Sequence, residues 1–143
     1  MRRMVLLLAG VLLSTVAMGS DSPKEYDDKT TLNPLEGSWR LTEYSFRGQT
    51  GIHPDELVLT YRGGFCTNKD SEPRRYCIAP SQTPAHLDWI ELSGPSKGET
   101  SKFIFQIKGD TLKMACFSGS SKTRPQVFND DEVVIYTFKR VKK

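Results

Sequence analysis

The chain has 143 residues, of which 20 are Lys or Arg and 17 are Asp or Glu, for a formal charge of +3. Arg2 and Arg3 lie in the first nineteen residues, which hold no acid, so the remainder is almost neutral and shows no electrostatic footprint of a nucleic-acid or other polyanion binder. About 124 residues then remain, enough for one hydrophobic core and too few for two.

After Arg2 and Arg3 comes an apolar run over residues 5–18, interrupted only by Gly10, Ser14 and Thr15. Ala17 and Gly19 then place small residues at the −3 and −1 positions of a cleavage after Gly19. A membrane-spanning helix needs about 20 apolar residues, more than this run supplies. No cysteine near its end could take a lipid, and no second apolar stretch follows. Residues 1–19 therefore read as a cleavable signal peptide. The mature protein is expected to be secreted to the periplasm or outside the cell, with no transmembrane anchor after cleavage. Its formal charge falls to +1, because Arg2 and Arg3 leave with the signal. Residues 20–34 are polar, with Pro23 and a charged run at 24–29, and read as a flexible leader. Order is expected from Leu35, in one domain over residues 35–143.

From there, short runs rich in β-branched and aromatic residues alternate with Gly, Pro, Asn and Asp. Residues 39–46 begin with period-two alternation, Trp39 and Leu41 on one face and Arg40 and Thr42 on the other. Tyr44 and Phe46 fall out of that register, which indicates a bend or bulge. Residues 52–58 have room for one helical turn, since Pro54, Asp55 and Glu56 suit a helix start. Further strands are expected at 57–62, 76–79, 86–92 and 102–108. Gly109 and Asp110 join the last of these to a run over 111–117, the clearest hairpin signal in the chain. The final strand is expected at 133–140. This spacing indicates an all-β fold, a small antiparallel up-and-down barrel of about eight strands. Closure removes the exposed edges, and successive hairpins make that order the simplest one.

Four segments in order carry a resemblance: Leu35, Gly37 and Trp39; then Pro84 and Asp88; then Gly109 to Lys113; and finally Arg124, Pro125 and Phe128. Over residues 35–141 the chain resembles an uncharacterised, exported, lipocalin-like domain family abundant in planctomycete bacteria. The resemblance implies a small up-and-down barrel in a bacterial protein, and brings no activity or catalytic residues. The family pattern has Cys where this chain has Ala115, and Cys116 comes one position later. That step moves the side chain to the other face of a strand, so no role passes to Cys116. Gly37 beside Trp39 suits a strand entering under the barrel floor, with the indole as a plug. Arg124 is the expected cation–π partner of Trp39.

Little in the sequence points to catalysis. His86 and Asp88, two apart on a strand, share a face and are expected as a surface pair. Neither they nor His53 is accompanied by a nucleophile motif. The cysteines and histidines lack metal-site spacing. The acidic runs 27–28 and 130–132 read as solvated turns, and Gly63 and Gly64 lack the helix and Lys of a phosphate loop. No metal or cofactor is expected. In an oxidising compartment one disulfide is expected, with Cys66–Cys77 preferred across the polar loop between them. Cys77–Cys116 is the alternative; the preferred pairing leaves Cys116 as a core thiol in line with Leu112 and Met114.

Two functions from different classes fit. One is a non-catalytic barrel binding a small apolar ligand, because about eight strands enclose room for side chains or one small ligand. Leu59, Tyr61 and Trp89 are candidate lining or core residues, with Phe103 and Phe105, Leu112 and Met114, and Tyr136 and Phe138. The other is a structural or interaction module that contacts an envelope protein and has a filled interior. A monomer is the expected state.

Overall fold

Alternation carries Trp39 and Leu41 to one face of a strand and Arg40 to the other. In the computed structural model this strand is β1 (Gly37–Phe46). The structure describes residues 33–52 and 56–142. The expected signal peptide, the leader as far as residue 32, and residues 53–55 of the expected helical turn lie outside the described residues. The described flanks of that turn, Ile52, Glu56 and Leu57, are not helical. Asn33 and Pro34, expected in the leader, belong to the fold. Asn33 Oδ1 accepts from the Leu35 N–H at 3.0 Å, and the Asn33 amide donates to the Tyr76 hydroxyl.

The strands after β1 are β2 (Gln49–Gly51), β3 (Val58–Arg62), β4 (Phe65–Asn68), β5 (Ser71–Ala79), β6 (Ala85–Glu91), β7 (Thr100–Lys108), β8 (Thr111–Phe117) and β9 (Val133–Arg140). Omitting β2, each strand pairs antiparallel with the next, and β9 returns to pair with β1, closing an eight-stranded up-and-down barrel. β2 is an extra short strand. It pairs with β1 at Tyr44, Ser45 and Phe46, beyond the stretch that β3 covers. The all-β barrel expected from the strand spacing is thus the fold of this chain, and the Gly109-Asp110 hairpin joins β7 to β8 with Lys108 opposite Thr111.

The irregularity in β1 is a bulge. Leu41 opposes Phe138 and Glu43 opposes Thr137, leaving Thr42 as the extra residue. Two hairpins had no counterpart in the expected strands. β3 and β4 are joined by Gly63 and Gly64, whose φ values of 58° and 82° suit residues without a Cβ. β5 begins at Ser71, well before Tyr76, and accommodates Pro73 because Glu72 and Pro73 together oppose Thr67 alone.

Strand pairing sorts the side chains into two clusters. The interior holds Leu35, Trp39, Leu59, Tyr61, Leu87 and Leu112 with their neighbours, all fully or almost fully buried. A second cluster lies outside the wall, where Ile104, Ala115 and Val133 pack with Phe117, Phe128 and Ile135. Residues 118–132, between β8 and β9, cover it as a strap. The Lys102 N–H donates to Ser121 O at 2.6 Å, and the Ser118 N–H to Glu132 O at 2.9 Å.

At the floor, the Trp39 indole is fully buried and its N–H donates to Leu35 O at 2.8 Å. The cation over its ring is Arg140, with the guanidinium carbon 4.1 Å from the ring centroid. Arg140 Nη1 also donates to Glu36 O at 3.0 Å, and Nη2 to Pro34 O at 3.4 Å. A Cβ on Gly37 would lie 3.1 Å from Arg140 Nη1, so glycine is what lets this side chain pass. The expected Arg124–Trp39 contact is therefore corrected. Arg124 sits on the outer face of the barrel, and the floor uses the last residue of β9 instead.

Candidate functional site

The interior changes character from floor to mouth. On β1 the inward row runs from Trp39, fully buried, through half-buried Leu41 to Tyr44, 38% exposed. On β9 it runs from buried Phe138 to half-buried Tyr136 and Val134, and on β8 from buried Met114 to half-buried Cys116. Cross-strand pairing places Tyr44 beside Tyr136, and Tyr136 beside Met114. One wall of the mouth is thus apolar, aromatic and open to water. Such a surface inside a barrel rim is the kind that small-molecule sites use.

The opposite wall is polar. Arg74 Nε lies 2.5 Å from Glu91 Oε1 across β5 and β6, with both side chains about three-quarters buried. The same guanidinium stands over the Trp89 ring at 5.2 Å, and Trp89 packs on Phe103 with ring centroids 4.6 Å apart. Below them, Tyr61 meets Tyr76 edge to face at 5.0 Å and donates its hydroxyl to Met114 Sδ at 3.5 Å. The Trp89 N–H faces Tyr61 closely enough to oppose the rise in that phenol's pKa, yet it completes no aligned hydrogen bond with any acceptor among the described residues.

Burial sets the protonation of this cluster. It pushes the Cys66 thiol up to about 11, against smaller downward pulls from the Tyr61 hydroxyl and Arg74. Burial likewise raises Tyr61 well above the ordinary phenol value, with Cys66 adding to the rise. Cys116 is raised by burial, and Tyr136 by burial and then by Cys116. At neutral pH these groups are uncharged donors, and thiols held protonated in this way are poor nucleophiles.

All nine candidate lining residues lie in the interior cluster or against it: Leu59, Tyr61, Phe103, Phe105, Leu112, Met114 and Phe138 within it, and Trp89 and Tyr136 packed on it. The sequence reading missed Tyr44, Cys66 and Arg74 as interior groups. Tyr44 turns inward only because of the bulge, and Cys66 and Arg74 lie in β4 and the first half of β5, at and beside the segment expected as a polar loop between Cys66 and Cys77.

The preferred disulfide is corrected as well. Among the described residues, which include all three cysteines, no disulfide forms. Cys66 pairs with Arg74 and faces inward, whereas Cys77, an odd number of positions further along β5, lies opposite Asp88 on the outer face. Cys77–Cys116 fails too, because β5 and β8 are not neighbours and the two side chains point to opposite faces. Asp88 is not part of a surface pair: it is only 4% exposed, and Arg124 Nη2 lies 2.7 Å from its Oδ1. His86 lies on that face as well, half-buried beside the strap.

No family model, curated protein or solved structure matches this chain.

Proposed function

We propose that this is an exported, non-catalytic binding module that takes a small, mainly apolar ligand carrying a hydrogen-bond acceptor into the mouth of its barrel. The observation that carries this reading is the buried Trp89 N–H, unsatisfied by the described residues, on the polar side of a mouth whose other wall is apolar and open to water. A buried donor without an acceptor costs about 1–3 kcal/mol, and a ligand oxygen placed against it recovers that cost on binding. The apolar side of the ligand rests on Tyr44, Tyr136 and Cys116, while Arg74 and Glu91 form a polar rim. The raised pKa values of Cys66 and Cys116 fit binding rather than thiol chemistry.

A matched pair of probes tests the reading: 2-acetylnaphthalene, which has an acceptor, and 2-ethylnaphthalene, which has none. In calorimetric titrations the ketone is expected to bind about tenfold more tightly, the worth of one hydrogen bond with its desolvation. Trp89→Phe keeps the ring and removes the N–H, so it should abolish the difference. Equal affinity for both probes would refute the role of Trp89. Binding of neither would favour the filled barrel and an interaction module of the cell envelope.

A further inference from the structure

A second recess lies outside the barrel, where the strap crosses β6 and β7. Its lining of about 660 Å3 includes Lys102, Lys122, Arg124 and His86, with the hydroxyl residues Thr83 and Thr123, and no Asp or Glu. The acid beneath it is Asp88, against which Arg124 is already packed at 2.7 Å. Lys102 lies directly opposite Asp88 across β6 and β7, so the cations Lys102, Lys122 and Arg124 gather around one acid. A concave surface with those cations and several donors attracts an anion with several acceptor oxygens.

The recess does not end in solvent. Thr83, Pro84 and Gln126 also form one side of a groove of about 780 Å3 that runs to the barrel floor. That groove is mainly apolar, with Pro80, Val127 and Phe128 along it and β7 bordering it at Phe105 to Ile107. Val127 is 50% exposed, although it belongs to a segment whose neighbour Phe128 packs onto the outer cluster. A cationic pocket continuous with an apolar trough matches a molecule that is charged at one end and apolar along the rest. Neither part alone calls for such a ligand; the shared wall does.

We propose that this outer surface binds a single-chain anionic amphiphile, its phosphate, sulfate or carboxylate head among Lys102, Lys122 and Arg124 and its alkyl chain along the groove. The site is separate from the barrel mouth and does not depend on it. Head and tail contribute together, since the anion supplies orientation and charge pairing while the chain supplies buried apolar area.

Calorimetry with decyl phosphate below its micellar concentration tests this, alongside inorganic phosphate and decyl maltoside. Decyl phosphate should bind at least tenfold more tightly than either control. Lys122→Glu and Val127→Asp, both at exposed positions, should each weaken it at least fivefold with unchanged circular dichroism, and Trp89→Phe should leave it unaltered. Inorganic phosphate binding as tightly as decyl phosphate would leave an anion site only and overturn the proposal. Decyl maltoside binding equally well would overturn it from the other side. Insensitivity to both surface substitutions, or loss of binding in Trp89→Phe, would place the ligand in the barrel mouth and reject the outer site, whereas the naphthalene pair judges the mouth on its own terms.

Discussion

Replacing Arg124 by Met should be among the most damaging single changes outside the interior. The Arg124 and Asp88 side chains are 11% and 6% exposed, and Nη2 to Oδ1 is 2.7 Å. Arg124 Nη1 also donates to Phe103 O at 2.8 Å and to Leu87 O at 3.4 Å, so one guanidinium spans β6 and β7 and pins the strap across both. Met fills similar volume but takes from the buried Asp88 carboxylate the guanidinium packed on it. Removing one partner of such a pair costs about 3–5 kcal/mol, whereas replacing both by apolar groups is often close to neutral. For a domain of this size each kcal/mol lowers Tm by roughly 4 °C, so Arg124→Met should melt roughly 10–20 °C below the wild type. Asp88→Leu combined with Arg124→Met should recover most of that loss. Urea denaturation followed by circular dichroism, with amide exchange at the Lys102 N–H that donates to Ser121, reads both the global and the local effect. If Arg124→Met is within about 1 kcal/mol of the wild type, or if the double variant is no more stable than the single, the buried pair does not hold the strap.

Arg140→Ala removes a cation stacked 4.1 Å from the Trp39 ring and donors to two carbonyls, and should cost about 2–4 kcal/mol in urea denaturation, with Arg140→Lys recovering only part. Peptide mapping without reductant should find no fragment linking Cys66 to Cys77, and Cys66 should resist alkylation until the protein unfolds. Because the folded protein holds the Cys66 proton up to about 11 against an ordinary value near 9.0, the folded state binds more protons across that interval. Stability should therefore fall as pH rises from about 9 to about 11, by up to about 2–3 kcal/mol from this group, and Cys66→Ala should show a shallower decline in denaturation over that range.

The strands that could be read from the sequence are those whose apolar residues recur without interruption. β7 and β8 announce themselves through Phe103, Phe105, Leu112 and Met114 around a two-residue turn. β4 and the first half of β5 do not, because they are short, polar and contain Pro73, and their place in the barrel depends on pairing with neighbours rather than on local propensity. One signal was available: Gly63 and Gly64 between Arg62 and Phe65 form a two-residue hairpin turn, and taking it would have extended the sheet through Cys66. With that hairpin in register, the face of Cys77 follows by counting, and the disulfide fails on geometry alone. The choice between Arg124 and Arg140 as partner of Trp39 was less accessible. Both are arginines at plausible distances along the chain, and only closure of β9 onto β1, with Trp39 opposite Arg140, separates them.

The clearest link from sequence to candidate site lies in the bulge at Thr42. Continuing the alternation of Trp39 and Leu41 would turn Glu43 and Ser45 into the barrel and leave Tyr44 and Phe46 on its surface, with a charge facing the core. Omit Thr42 and the alternation is unbroken: Trp39, Leu41, Tyr44 and Phe46 then share one face. The bulge performs that omission, and the Thr42 hydroxyl donates to Thr137 O at 3.1 Å, tying the extra residue back to the facing strand. The bend also increases local twist near the rim of the barrel. What looks in the sequence like a decaying strand pattern is therefore an instruction to carry aromatic residues up the inner wall past the level that the core needs to fill. Tyr44, 38% exposed, lies there with its ring over Gly51 of β2, where a Cβ would come within 2.5 Å of it, and so lines the wall on which the proposed ligand rests.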